Sequence, residues 1–124
     1  MKLVLIVEDS ATCAETLQIA LESLPEVEVR VLHSSRAAMA LLRESPSKVG
    51  ALVTDLHMPQ DDGMDLIRIV RQDPGFRRLP IVLISGDSDP RLPARARAEG
   101  ADAFFAKPYS PAAVRRKLEQ LLCM

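Results

Sequence analysis

The sequence predicts an α/β protein with a parallel five-stranded sheet and helices on both faces of it. Apolar runs of strand length recur five times, and the segments between them carry apolar residues at three- and four-residue spacings, as helices with one buried face do. Strands that are apolar throughout are buried on both faces, which favours a parallel sheet. Because crossovers between parallel strands are right-handed, the topology is limited to doubly wound forms.

The five predicted strands alternate with five predicted helices. The apolar runs cover residues 3–7, 27–32, 51–54, 81–84 and 103–106. Helical spacing follows in Leu17 and Leu21, which mark the first helix, and in Ile67 and Val70, which mark the third. Each of these helices has an apolar face to bury against the sheet.

Residues with strong end preferences indicate where the later helices begin and end. Ser110 followed by Pro111 places a capping hydroxyl before a first-turn proline at the start of the fifth helix. Gly100 is expected to end the fourth helix. Pro90 and Pro93 near the start of that helix predict that it is short or begins irregularly.

Length and composition exclude several classes of protein. A chain of 124 residues, 48% hydrophobic and 27% charged, has the size of one globular unit, and we expect a single domain over residues 1–124. No apolar run approaches the roughly 20 residues that cross a bilayer, and the start lacks the features of a signal peptide. A cytoplasmic location without membrane contact is therefore expected. Cys13 and Cys123 are isolated in sequence, which predicts reduced thiols.

The charges balance overall but not along the chain. Sixteen basic and seventeen acidic residues give a net charge of −1, too even for direct binding of nucleic acid. The first 67 residues hold five basic and eleven acidic side chains, whereas the remainder hold eleven basic and six acidic. We expect the basic residues of the fourth and fifth helices to form either a solvated face or a surface for an acidic partner or a second copy. They are Arg91, Arg95, Arg97, Arg115, Arg116 and Lys117.

Polar side chains follow four of the predicted strands. Glu8 and Asp9 follow the first strand, Asp55 the third, Ser85 the fourth and Lys107 the fifth. In an open parallel sheet, the loops at the carboxyl ends of the strands converge and ligands bind there. Taken singly, these residues have structural explanations: a helix cap at Asp9 or Ser10, turns at Asp55 and Ser85, and a solvated charge at Lys107.

Taken together, the same residues predict a cation site. Three neighbouring carboxylates repel one another unless a positive charge offsets them. Mg²⁺ prefers oxygen ligands and pairs with phosphoryl oxygens, so it is the natural candidate. Lys107 supplies a further positive charge.

This arrangement resembles the receiver domain of bacterial response regulators, and the match runs the whole length of the chain. It is carried by four motifs in order at strand ends: Glu8-Asp9, Asp55-Leu56-His57-Met58-Pro59 followed by Asp62-Gly63, Ser85-Gly86 and Lys107-Pro108. The resemblance implies a flavodoxin-like (βα)5 fold with strand order 2-1-3-4-5. It also implies a signalling module rather than an enzyme, one that catalyses only its own phosphorylation and dephosphorylation.

The resemblance assigns the acidic residues to phosphoryl transfer. Asp55 is the implied nucleophile, and it takes a phosphoryl group from a phosphohistidine on a sensor histidine kinase or a histidine phosphotransfer protein. Glu8, Asp9, Asp55 and the backbone carbonyl of His57 are the implied ligands of Mg²⁺, which cancels charge that would repel the incoming group.

The resemblance also implies a switch. Lys107, directed by a cis bond before Pro108, pairs with one phosphoryl oxygen, and the Ser85 hydroxyl bonds another. The ring of Phe104 then follows the hydroxyl and remodels the face made by the fourth helix, fifth strand and fifth helix, where a downstream protein partner binds. The alternative is that Phe104 is an ordinary core residue, with Phe105 on the opposite face of the strand.

Two further positions flank the approach to the phosphoryl group in the resembling family. His57 stands two residues beyond Asp55, and Asp87 stands two beyond Ser85. They are predicted to tune how long the phosphate lasts, and the alternative is that both are solvated loop residues. His57 is not a dependable base at neutral pH, because the unperturbed pKa of histidine is about 6.5.

Two other functions stay open from the sequence. A haloacid dehalogenase-type phosphatase also forms an aspartyl phosphate, but it needs a second aspartate where His57 stands. A receiver-like interaction module that takes no phosphate is the other possibility. A flavodoxin-like cofactor binder is disfavoured because Glu8 and Asp9 would repel a phosphate. The chain ends at Met124 without an effector, so we expect either a single-domain regulator or a part of a longer one.

Overall fold

The structure is a computed structural model that describes residues 2–58 and 61–122. The main sheet has five strands: β1 (Lys2–Val7), β2 (Val27–Leu32), β3 (Val49–Asp55), β4 (Ile81–Ser85) and β5 (Ala103–Ala106). Five helices alternate with them: α1 (Ala11–Glu22), α2 (Ser35–Glu44), α3 (Gly63–Gln72), α4 (Leu92–Glu99) and α5 (Pro111–Leu121). Two elements were not predicted, a 3₁₀ turn (Pro74–Phe76) and a short antiparallel pair (His57–Met58 with Asp61–Asp62).

Neighbouring strands of the main sheet all pair in parallel, in the order β2-β1-β3-β4-β5. This confirms the predicted flavodoxin-like, doubly wound fold. The chain passes from β1 outward to β2 and then returns across β1 to β3, so the winding direction reverses between β1 and β3. Loops diverge from that point and leave a crevice at the carboxyl ends of the strands.

The sheet is buried between two apolar layers. Leu5 and Leu52 face the layer that α2, α3 and α4 cover, whereas Ile6 and Val53 face the layer under α1 and α5. Successive residues of a strand point to opposite faces, so a strand buried on both faces must be apolar throughout. That requirement explains why the central strands read as continuous apolar runs.

The predicted helix ends are confirmed where the signals were strongest. The Ser110 hydroxyl accepts a hydrogen bond from the Ala113 N–H at 3.2 Å, and Pro111 opens α5. Gly100 ends α4 with φ of 119°, a left-handed conformation that suits glycine. α4 has eight residues and no side-chain cap, with Pro93 in its first turn, so the prediction of a short helix is also confirmed.

Some boundaries differ from the predicted ones. Arg91, expected on the fourth helix, instead lies at the N-cap position of α4, where its guanidinium bonds the Asp89 carboxylate at 2.9 Å. β3 begins at Val49, two residues before the predicted run, because Val49 pairs with Leu3 of β1. Pro59 of the quoted motif and Cys123 lie outside the described residues, whereas Cys13 is a free thiol. Within the described ranges, none of the helices has the length and apolar character needed to cross a bilayer.

Candidate functional site

The carboxyl ends of β1 and β3 bring three carboxylates together. Glu8 and Asp9 follow β1, and Asp55 is the last residue of β3. One carboxylate oxygen from each of the three lies within 4.8 Å of the others. Glu8 and Asp55 are buried, whereas Asp9 is exposed. The three carboxylates that were predicted to hold a metal therefore form one cluster with a side open to solvent.

Lys107 reaches into this cluster from the end of β5. Its Nζ atom donates to Asp55 Oδ2 at 3.0 Å and to Glu8 Oε2 at 3.4 Å. Burial acts to lower the pKa of Lys107, but the hydrogen bond to Asp55 and the charges of Asp55 and Glu8 outweigh it and raise that pKa. The ammonium is therefore held charged beside the two buried carboxylates. The peptide bond between Lys107 and Pro108 is cis, as the resemblance implies.

The pKa of Glu8 is raised by its surroundings in the cluster. Burial, and then the charge of Asp55, raise its pKa, although the Ser10 N–H and Lys107 act in the opposite direction. The Ser10 N–H donates to Glu8 Oε1 at 3.1 Å, and His33 Nδ1 lies 3.0 Å from the Glu8 carbonyl oxygen. One lysine does not offset three carboxylates, so the site has an affinity for additional positive charge.

Backbone contacts fix the position of Asp55. The Thr54 hydroxyl donates to the Asp55 carbonyl at 3.0 Å, and the next amide, Leu56 N–H, donates to the Ile84 carbonyl at 2.8 Å. The carbonyl of Leu56 accepts from the Gly63 N–H at 2.8 Å. The strand end that carries Asp55 is thus tied to both β4 and the start of α3.

Ser85 and Phe104 lie on neighbouring strands, and none of the hydrogen bonds given for the described residues joins them. Ser85 is fully buried, and its Oγ accepts from the Asp87 N–H at 2.9 Å. Phe104 is half-buried against the apolar layer under α2, α3 and α4, whereas Phe105 packs into the opposite layer. The predicted division of the two rings between the faces of β5 is confirmed.

His57 and Asp87 contact each other across the mouth of the site. His57 Nε2 lies 3.0 Å from Asp87 Oδ2, and the side chains are 65% and 37% exposed. The backbone N–H of Asp89, and then His57, lower the pKa of Asp87, which keeps it ionised at neutral pH. The sequence predicted that both residues flank the site but not that they join, because they are 30 positions apart.

A cavity beside Lys107 is a feature that the sequence did not reveal. It has a volume of about 480 Å³ and lies between the start of α1 and the loop before α5, with Cys13, Thr16 and Tyr109 in its wall. Burial raises the pKa of the Tyr109 hydroxyl. The only sequence signal was that Tyr109 directly follows the Lys107-Pro108 motif.

The site combines two chemical capacities. Its carboxylates offer oxygen ligands of the kind that hard divalent cations prefer. Asp55 offers an anionic oxygen with an ammonium 3.0 Å away that can balance the charge of an incoming anion. An anionic group bound with a divalent cation is the ligand that suits this combination.

Comparisons with known proteins give one family. Residues 4–119 match the family model of the response regulator receiver domain. The chemotaxis protein CheY1 of Helicobacter pylori (strain ATCC 700392 / 26695) is 32% identical over 123 residues, which are 98% of this chain and 97% of that protein. The two-component response regulator ORR11 of Oryza sativa subsp. indica is 30% identical over 119 residues, 96% of this chain and 80% of that protein.

A solved structure agrees with these matches. The signal receiver domain of a signal transduction histidine kinase from Syntrophus aciditrophicus has a TM-score of 0.85 and 32% identity, with 99% of this chain and 91% of that chain covered. The fold, the family match and relatives that span nearly the full length of the chain all point the same way. We conclude that the chain belongs to the response regulator receiver domain family and is a receiver domain of two-component signalling.

Proposed function

We propose that Asp55 accepts a phosphoryl group from a phosphohistidine of a sensor histidine kinase or a histidine phosphotransfer protein. The observation that carries this proposal is the Asp55 carboxylate at an open strand end, 3.0 Å from the Lys107 ammonium. In the transfer, an Asp55 oxygen bonds to phosphorus while the nitrogen–phosphorus bond of the phosphohistidine breaks. The nitrogen keeps the electron pair and takes up a proton from solvent. The domain, proposed to extend over residues 1–124, catalyses only its own phosphorylation and dephosphorylation.

The proposed cofactor is Mg²⁺. The donor set fits it because the clustered side-chain ligands are all carboxylate oxygens. Burial, and then the charge of Asp55, raise the pKa of Glu8, and a bound cation would favour its charged form. Glu8, Asp9, Asp55 and the backbone carbonyl of His57 would hold the ion. When bound, Mg²⁺ neutralises charge on the carboxylates and on the phosphoryl oxygens.

Lys107 and Ser85 are proposed to hold the phosphoryl group once it is on Asp55. Lys107 already lies within hydrogen-bond distance of Asp55 Oδ2, so a short movement brings its Nζ to a phosphoryl oxygen. The Ser85 hydroxyl accepts from the Asp87 N–H and keeps its own proton, which it can donate to another phosphoryl oxygen.

The output is proposed to pass through Phe104 to the face formed by α4, β5 and α5. Phe104 is half-buried on β5 against the side of the sheet that α4 covers, so a displaced Ser85 side chain would leave room for the ring to move inward.

The basic residues Arg95, Arg97 and Arg116 lie on α4 and α5 and suit an acidic partner or a second copy. Binding through them would weaken as salt increases; an affinity that is the same at low and high ionic strength would contradict this.

His57 and Asp87 are proposed to tune the lifetime of the aspartyl phosphate, because they follow Asp55 and Ser85 by two residues each and their exposed side chains contact each other. The half-life of the phosphorylated protein is the quantity to compare in His57→Ala, Asp87→Ala and the parent chain. Equal half-lives in all three would remove this part of the proposal. A cytoplasmic location stays a prediction from the sequence.

Labelling with a small phosphodonor tests the proposal directly. The chain is incubated with acetyl phosphate and Mg²⁺, and its intact mass is measured. We expect a gain of about 80 Da, one phosphoryl group in place of a proton. The gain should vanish in Asp55→Asn and with EDTA, and it should persist in Asp65→Asn, whose carboxylate is exposed on α3. Steady turnover of phosphate esters, supplied in place of acetyl phosphate, would indicate a phosphatase, and an inert chain would indicate an interaction module.

A further inference from the structure

The loop between β4 and α4 is held by three consecutive side-chain-to-backbone bonds. Ser85 Oγ accepts from the Asp87 N–H, Asp87 Oδ1 from the Asp89 N–H, and Asp89 Oδ1 from the Arg91 N–H, each at 2.9 Å. Each bond joins a side chain to the amide two residues later, the geometry of a tight turn. The loop therefore has a defined conformation from the buried Ser85 to the start of α4.

Asp87 is the residue that connects this loop to the opposite side of the site. Its N–H bonds Ser85, its Oδ1 accepts from Asp89, and its Oδ2 lies 3.0 Å from His57 Nε2. A carboxylate oxygen only accepts, so the imidazole must donate from Nε2. Ser85 is thus connected to His57 through one residue, and His57 belongs to the segment that directly follows Asp55.

We propose that the His57–Asp87 contact is a latch that keeps Ser85 in the position it has before Asp55 is phosphorylated. This inference rests on the proposed function, in which the Ser85 hydroxyl turns to the phosphoryl group on Asp55. That turn takes Ser85 Oγ away from the Asp87 N–H and so releases the loop at its first bond. While His57 holds the Asp87 carboxylate, the N–H of the same residue stays in place for Ser85, and the contact opposes the turn.

Exposure of the two side chains indicates that the contact acts on the loop rather than on the core. His57 is 65% exposed and Asp87 37% exposed, and neither belongs to the two apolar layers. Removing an exposed pair of this kind has little effect on overall stability. Its free energy instead favours one position of the loop over another, and a ligand that prefers the other position must overcome it.

Binding of beryllofluoride, an unreactive phosphoryl mimic, measures this opposition. The dissociation constant of beryllofluoride in the presence of Mg²⁺ is determined by NMR titration for the full chain and its variants. The contribution of an exposed pair of this kind corresponds to an affinity change of about two- to five-fold, so we expect His57→Ala to bind the mimic more tightly by that factor. If His57 acted instead by attracting the anionic mimic, His57→Ala would bind the mimic more weakly. The latch and this attraction therefore predict changes in affinity of opposite sign.

Three further variants separate the latch from a general structural effect. His57→Gln keeps an N–H donor and should bind close to the parent chain. Glu28→Ala removes the exposed ion pair with Arg30 on β2, far from the site, and should also leave binding unchanged. In an Asp87→Ala background, His57→Ala should add nothing, because its partner is already gone. The backbone amide of Asp87 should exchange with solvent faster in His57→Ala, while the unfolding midpoint stays the same.

The possible failures are distinguishable. A parent chain that binds no beryllofluoride with Mg²⁺ would overturn the proposed function, and the latch with it. Binding by the parent chain with the same constant in His57→Ala, or a weaker one, overturns the latch alone. A gain from His57→Ala that persists without Asp87 also overturns it, since the effect would then not pass through Asp87.

Discussion

Gly63 lies against the backbone of Asp55 so closely that a Cβ atom at position 63 would be 2.1 Å from the Asp55 carbonyl oxygen. The Asp55 carbonyl carbon would be 3.0 Å away. Gly63 does not have a left-handed backbone, so it is proximity alone that excludes a side chain. Asp55 cannot retreat, because the Leu56 N–H after it is bonded to β4. The first residue of α3 thus packs directly on the strand end that carries the proposed phosphoacceptor.

Gly63→Ala is therefore expected to disturb both stability and phosphorylation. Forcing a methyl group into a closely packed position typically costs about 1–3 kcal/mol in the free energy of unfolding, measurable by urea denaturation. Labelling by acetyl phosphate, corrected for the folded fraction, should also slow, because Asp55 must shift. Gly86→Ala is the matched control, since its Cβ would be 3.8 Å from the nearest atom, on Lys107. Equal effects of the two substitutions would contradict this explanation.

The sequence predicted the sheet well because the signals for strands and helix ends lie within short stretches of the chain. Continuous apolar runs mark β1 and β4, and the hydroxyl, proline and glycine signals at Ser110, Pro111 and Gly100 act within a few residues. The short pair at His57–Met58 was missed, because two residues carry too little pattern to predict a strand.

The site was predictable in its residues but not in its contacts. Strand ends of a parallel sheet meet at one edge, so Glu8, Asp55 and Lys107 could be grouped from their positions in the chain. The bond between His57 and Asp87 depends on how two loops close over the site, and no residue spacing encodes that. The proximity of Gly63 to Asp55 likewise depends on how the start of α3 packs against the end of β3.

Neutralising Glu8 is expected to stabilise the metal-free protein. Burial and the charge of Asp55 raise the pKa of Glu8, so the folded chain holds its proton more tightly than the unfolded chain does. The stability that this proton contributes is fully present below the ordinary pKa of 4.5 and is lost as the pH rises through the raised pKa of the folded chain. At pH 7 in EDTA, Glu8→Gln should therefore unfold at a higher temperature than the parent chain.

The advantage of Glu8→Gln should shrink as the pH approaches 4.5, where the parent chain regains its proton. Adding Mg²⁺ at pH 7 should raise the melting temperature of the parent chain more than that of the variant, since one ligand is missing from the variant. Thermal unfolding across pH, with and without Mg²⁺, checks both expectations. A variant less stable than the parent chain in EDTA at pH 7 would show that carboxylate repulsion is not the dominant effect.

Arg71 is expected to be a major stabilising residue away from the site. Its guanidinium donates to the Gly100 carbonyl at 2.9 Å, the Phe76 carbonyl at 2.6 Å and Asp102 Oδ2 at 3.1 Å. It thereby joins α3, the 3₁₀ turn and the link between α4 and β5. Arg71→Met keeps most of the apolar stem but removes this donor from both carbonyls, while Asp102 Oδ2 keeps its bond from the Ile81 N–H. We expect a cost of about 2–4 kcal/mol in the free energy of unfolding.

Arg68→Met is the matched control for Arg71→Met on the same helix. Arg68 is 48% exposed and pairs with Asp65 and Glu99 at the surface, so its replacement should change the free energy of unfolding by less than about 1 kcal/mol. Urea denaturation measures both, and labelling by acetyl phosphate per folded molecule should stay unchanged. Similar costs for the two substitutions would mean that the contacts of Arg71 contribute no more than a surface pair.

The turn at Asp89 is expected to report on the loop that precedes α4. Hydrogen bonds from the Arg91 side chain and then from its N–H lower the pKa of Asp89 from 3.8 to about 2. This pair supports the fold above pH 3.8, and its support is lost as the pH falls toward 2. NMR titration should find this low pKa in the parent chain and a value closer to 3.8 in Arg91→Ala, because the guanidinium donors are removed. Arg95→Ala is the control; Arg95 acts on Asp89 only through its charge, so the change should be smaller. An unchanged pKa in Arg91→Ala would mean that the Arg91 guanidinium does not bond Asp89 in solution.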